Sequence, residues 1–125
     1  MHNLVETPGI FHPTDNGGYF ECDHGYVLRT EQAILDLLAS CGENGTDKLL
    51  VHSESLPEDF YDLHTGLAGT VLLKMSNYRI ILAVVIPKEK IGNGRFYEMV
   101  LETNRGREFR VFTGTDEAVD WLTHI

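Results

Sequence analysis

One stretch constrains this chain more than any other. It is "RIILAVVI", Arg79 to Ile86, in which seven apolar residues follow one another without a polar side. A bilayer-crossing helix needs about 20 such residues, so seven cannot span a membrane. A short apolar run rich in Ile and Val suits a strand. A strand that is apolar on both sides must be covered on both faces. That is the condition of an inner strand in a parallel sheet flanked by helices.

The surrounding sequence supplies those helices. "TEQAILDLLASCGENG" sets Ile34, Leu37, Leu38 and Cys41 on one helical face, with Thr30 as its cap and Gly42 or Gly45 at its end. "KLLVHS" predicts a strand, and Pro57 starts a single turn in the connector "SLPEDFYDL". "TGLAGTVLLKMSNY" predicts a second helix with Leu67, Val71, Leu72, Met75 and Tyr78 inward. "PKEKIGNG" reads as a loop, and "RFYEMVLETN" as a third helix burying Phe96, Tyr97, Val100 and Leu101. "EFRVFT" alternates Phe109 and Val111 against Arg110 and Phe112, a strand. "GTDEAVDWLTHI" is a fourth helix, capped by Thr115, with Ala118, Trp121, Leu122 and Ile125 inward. Residues 1–28 are irregular, with "NLVE", "YFEC" and "GYVLR" as short strands. Strands alternating with helices predict parallel pairing through right-handed crossovers. The expected fold is a small α/β domain over residues 1–125: a mostly parallel sheet covered by helices, completed by extra N-terminal strands. Whether "YFEC" pairs within the chain or across a homodimer stays open.

The net charge is −9 with His neutral. An acid excess repels phosphate, which argues against nucleic acid and anionic membranes as partners. The N-terminus lacks a basic start and a long apolar run, so neither a signal peptide nor a membrane span is expected. A soluble, cytoplasmic protein is the expectation. Two cysteines, Cys22 and Cys41, show no metal or disulfide spacing, and Cys41 falls on a core-facing helical position.

The junction "DLHTGLAGT", Asp62 to Thr70, is the candidate site. Structurally, Asp62 or Thr65 caps the second helix, Gly66 permits close backbone approach, Gly69 lets the helix lie near the sheet, and Phe60 and Tyr61 pack over the sheet edge. Functionally, the free N–H groups of a first helical turn can hold an anion. The acids Glu54, Glu58, Asp59 and Asp62 oppose that and suit a basic partner surface instead. A catalytic reading would use His64 as base, Asp62 as its orienter and Thr65 as nucleophile, but neighbours at a helix start seldom reach one another. No catalytic residue is assigned. A metal reading would gather His12, Cys22, His24 and His2, yet no paired ligand motif accompanies them, so no metal ligand and no cofactor are assigned. "IGNGRF" lacks the third glycine of a dinucleotide fingerprint. Arg105, Arg107 and Arg110 would meet an acidic partner or simply compensate a helix C-terminus.

"LPEDFYDLHTGLAG", "NYRIILAVV" and "ETNRG" resemble the bacterial family known as Domain of Unknown Function 4180, from about Thr30 to the end. That resemblance implies no activity. The element order also resembles the STAS-like fold of anti-sigma-factor antagonists. Those proteins carry Asp-Ser-Ser-Gly-Leu-Gly at this junction, and a partner kinase phosphorylates the first Ser. "HTGLAG" sets His64 on that acceptor and Thr65 on the second Ser. The two resemblances imply a non-enzymatic regulatory or protein-interaction module. Its docking face would comprise Asp59, Asp62, His64, Thr65 and Gly66, with Asn104 and Arg105 of "ETNRG". The alternative is a small ligand-binding protein or hydrolase using the same junction.

Overall fold

The strand over "ILAVV" does lie inside the sheet. In the computed structural model, which describes residues 8–125, five strands stand in the order of the chain: β1 (Gly9–His12), β2 (Tyr19–Cys22), β3 (Lys48–His52), β4 (Ile81–Val85) and β5 (Phe109–Phe112). β1 and β2 are antiparallel, and β2 to β5 are parallel. "YFEC" therefore pairs within the chain, with "GIFH" as its partner. "NLVE" and His2 lie outside the described residues. "GYVLR" is not a strand; it crosses the core as an extended link, its Leu28 buried and its Leu28 amide donating to the Ser55 carbonyl at 2.9 Å.

The helices are α1 (Glu31–Glu43), α2 (Glu58–Tyr61), α3 (Leu67–Asn77), α4 (Lys88–Ile91), α5 (Arg95–Thr103) and α6 (Thr115–His124). Because the parallel strands run in sequence order, each right-handed crossover delivers its helix to the same face. The larger core lies there, with Ile34, Leu37, Phe60, Val71, Met75, Phe96 and Val100 against Leu49, Val51, Leu82 and Val84. Among the described residues the opposite face has only α6, whose Ala118 and Leu122 pack on Tyr19, Leu50 and Ala83. The alternation of β4 is thus explained: Leu82 and Val84 point to one core, Ala83 to the other.

The Thr30 side chain caps α1 by accepting from the Ala33 amide at 3.1 Å, as its sequence predicts. Other details differ. α3 buries Ala68, Val71 and Met75, while Gly69 is exposed with open space around it, so close packing there comes from Ala68. Tyr78 stands 57% exposed, because the chain leaves the helix at that residue and Arg79 turns it with φ 56°. On α5 the buried stripe is Phe96 and Val100 with Met99 beside it; Tyr97 and Leu101 lie on its outer side. "PKEKIGNG" contains the single turn α4. Thr115 is the first helical residue of α6 and makes no cap bond; Gly114 holds the cap position. Trp121 is half-buried, with the Arg110 guanidinium 5.2 Å from its ring centre. Both cysteines are buried and free. Burial pushes their thiols up, to about 11 for Cys22 and about 12 for Cys41. Among the described residues no helix is long and apolar enough to cross a membrane.

Candidate functional site

The β3–α3 connection rises from the carboxyl end of its strand, where parallel sheets offer their ligand crevices. Its geometry is set locally. Asp62 Oδ1 accepts from the His64 amide at 3.0 Å, which closes a short 3₁₀ turn over Leu63–Thr65. The Thr65 hydroxyl lies against the Asp59 and Asp62 carbonyls and accepts from the Leu67 amide at 3.3 Å. Gly66 then takes the left-handed conformation, φ 80°, that starts α3. An L side chain meets a steric penalty there, so glycine fits the turn. Asp59, Asp62, His64, Thr65 and Gly66 are all exposed and share this one connection.

The structure does not assemble a triad at the junction. Thr65 is engaged with backbone, and the His64 ring sits 3.4 Å from Asp62 on the open surface. What it does assemble is a groove of about 380 Å³ between this connection and the one after β4. Asp62 and His64 line one side; Lys90, Gly94 and Arg95 line the other, with Tyr61 and Phe96 between. The Tyr61 ring packs on Phe96 at 5.1 Å, and the tyrosine hydroxyl is buried without a hydrogen-bond partner among the described residues. Burial, then the charges of Glu54 and Glu58, push that phenol up to about 12, so it stays a donor at neutral pH.

Asn104 and Arg105 stand apart from the junction. Asn104 ends α5, nine residues after Arg95 and so about 13 Å of helix rise from the groove. Its amide is fully engaged, donating to the Val111 carbonyl at 3.1 Å and accepting from the Val111 amide at 2.8 Å. Arg105 is exposed beside Glu102 at 3.9 Å.

A second polar cluster forms on the α6 side of the sheet. Glu21 Oε2 lies 2.6 Å from His52 Nε2, and Glu21 Oε1 lies 2.8 Å from His12 Nε2. Burial alone would raise the Glu21 carboxyl; the hydrogen bonds and charges of His52 and His12 outweigh it and hold it below its ordinary value. The His24 ring sits 4.1 Å from that of His52, centre to centre. Sequence reasoning named His12 and His24 but missed Glu21 and His52. Cys22, grouped with them by spacing, points into the other core, beside Ser55. The signal that joins the set is the β2–β3 pairing, which puts Glu21 opposite Leu50, two residues before His52.

A family model described as Domain of unknown function (DUF4180) matches residues 16–122. No curated protein and no solved structure matches the chain.

Proposed function

The chain belongs to the DUF4180 family, and from that premise we propose that it is a non-enzymatic regulatory module of STAS-like architecture that docks a protein partner in the groove at the carboxyl edge of its sheet. The observation that carries this reading is the Tyr61 hydroxyl, buried at a groove lined by Asp62, His64, Lys90 and Arg95 and lacking a partner among the described residues. A buried donor without an acceptor costs about 1–3 kcal/mol. A backbone carbonyl or carboxylate of an incoming chain would remove that cost once the groove side chains part to uncover the hydroxyl. The braced junction beside it displays Asp59, Asp62 and His64 to the same partner. A phosphate on Thr65 would break the bond its hydroxyl donates and crowd negative charge beside two acids, loosening the turn that shapes the docking face. The element order and the mixed sheet support the STAS-like reading.

The test is Tyr61→Phe. Removing the orphaned hydroxyl should leave the melting temperature unchanged or raise it, while quantitative affinity enrichment of the protein's partner set drops. Asp62→Ala should lower enrichment as well. Equal enrichment by both variants and the wild type rejects the groove as the docking face.

The alternative, a small-molecule site, draws on the groove volume, which lies near the low end of ligand pockets of about 300–1,000 Å³. A small ligand would bind the purified chain without any partner, and Tyr61→Phe would weaken it.

A further inference from the structure

We propose that Glu21, His24 and His52 form a binding site for one divalent transition-metal ion. The proposal shares no residue with the groove and stands or falls separately from it. Each of the three side chains offers a ligand atom, and these atoms all lie within 4.8 Å of one another. Two imidazoles and one carboxylate are the donor set that zinc, cobalt, nickel and non-haem iron accept. Calcium and magnesium prefer six or more oxygens, and one carboxylate cannot supply them.

The placement derives from the sheet. Glu21 and His52 belong to the face that α6 covers, but α6 packs chiefly on β3, β4 and β5 and meets β2 at Tyr19, so among the described residues β1 and the Glu21 side of β2 lie beyond its main contacts. A carboxylate at that boundary is half-buried and His52 is buried, while His24 reaches in from the exposed loop after β2. The arrangement therefore has a rigid pair on strands and a third ligand on an accessible loop, with room for a further group from solvent.

The outer contacts are those of a metal site. His12 holds Glu21 Oε1, the oxygen turned away from His52, and Glu54 Oε1 stands 3.7 Å from His24 Nδ1. Such neighbours orient ligands, and a carboxylate beside a histidine, as Glu54 is beside His24, also raises the basicity of the imidazole. The pair Glu21–His52 would explain itself as a hydrogen bond. His24 would not: it makes no side-chain hydrogen bond among the described residues, yet its ring, on an exposed loop, lies 4.1 Å from that of His52, centre to centre. Binding requires a small adjustment. With bonds of about 2.0–2.1 Å at a tetrahedral angle, two ligand atoms sit roughly 3.3 Å apart. The 2.6 Å between Glu21 Oε2 and His52 Nε2 must open accordingly, with loss of the shared proton. A net charge of −9 favours a cation at any such site.

The experiment uses the full chain purified without a histidine tag, titrated with cobalt(II) chloride and followed by its visible absorption, then displaced with zinc chloride under calorimetry. One equivalent should saturate, and magnesium should not compete. His24→Ala, an exposed change that leaves the fold intact, should weaken binding tenfold or more, as should Glu21→Gln. His64→Ala should bind like the wild type. Absence of saturable uptake overturns the proposal. So does one-equivalent binding that His24→Ala and His52→Ala leave unchanged, or that His64→Ala abolishes.

Discussion

Replacing Asn104 with alanine tests how the sheet ends. β5 is an edge strand, and its inner side is paired: the Leu82 amide donates to the Glu108 carbonyl at 2.8 Å and the Ile86 amide to the Phe112 carbonyl at 2.9 Å. Even-numbered residues of β5 thus turn their backbone towards β4, and Val111 turns its own outward. The Asn104 amide meets both outward groups, at 3.1 and 2.8 Å, standing where a residue of a sixth strand would stand. Each such bond contributes about 1 kcal/mol net, so Asn104→Ala should cost about 2 kcal/mol. With a urea dependence of about 1.5 kcal/mol per molar, the unfolding midpoint should fall by roughly 1.3 M. The freed edge also becomes a template for pairing with another chain, so the variant should self-associate at high concentration, seen by sedimentation. Asn104→Asp separates the two bonds. Its carboxylate keeps the acceptor for the Val111 amide and faces the Val111 carbonyl without a proton. It should lose about as much as alanine at pH 7 and regain part of the difference near pH 4, where a protonated carboxyl can donate. A loss below about 0.5 kcal/mol for alanine, with no pH-dependent gap between the variants, would refute the clamp and return Asn104 to the candidates for partner contact.

Two further outcomes rest on backbone and burial. Gly66→Ala should cost about 1 kcal/mol, because φ is 80° but nothing lies within 4 Å of the added carbon. Gly18→Ala should cost clearly more in the same melts, since its carbon would stand 2.5 Å from the His12 carbonyl oxygen; equal costs would contradict the geometry. For the thiols, native protein should resist a disulfide-exchange reagent and release two thiols only on unfolding. Their folded pKa values, about 11 and about 12, exceed the ordinary 9.0. Below that ordinary value the contribution of the protonated thiols is complete, and it is lost as pH rises towards the folded values. Stability should therefore hold to about pH 8 and fall by roughly 2 kcal/mol between pH 9 and 10. Stability that rises across that window, or Cys22→Ser and Cys41→Ser variants with the wild-type slope, would contradict this.

Short-range physics decides the features that are legible in the sequence. The cap at Thr30 and the alternation of "EFRVFT" depend on residues within one or two turns of each other, and both stand as their patterns imply. At the junction the cap moves: Asp62 caps the 3₁₀ turn Leu63–Thr65, and Gly66 holds the cap position of α3 without a side-chain bond, because the extra turn intervenes between Asp62 and the helix. Tyr78, Tyr97 and Leu101 break the pattern because periodicity gives an apolar stripe but not its width. That width depends on how much of a helix the sheet leaves uncovered. Glu21 and His52 are 31 residues apart, and only strand register brings them together. "YFEC" shows which side Glu21 takes and "KLLVH" which side His52 takes, but no local rule says that Glu21 lies opposite Leu50.

One further step was within reach of arithmetic. Three parallel crossovers commit α1, α3 and α5 to one face, so the other face of a five-stranded sheet must be served by the segment C-terminal to β5. Five strands about 4.8 Å apart span roughly 19 Å, and one helix is about 10 Å across. A single C-terminal helix about 10 Å across therefore covers only part of that face, and α6 leaves a strip beyond its own reach. Apolar residues on the strip would be an aggregation hazard, whereas polar side chains that satisfy one another tolerate both partial burial and water. His12 and Glu21 occupy the inward-alternating positions of β1 and β2 that a covered sheet would fill with aliphatics, and Ile10 beside them is 63% exposed. The polar cluster thus sits where the count of helices falls short. There the half-buried Glu21 carboxylate sits beside the buried, strand-end His52, and each satisfies the other.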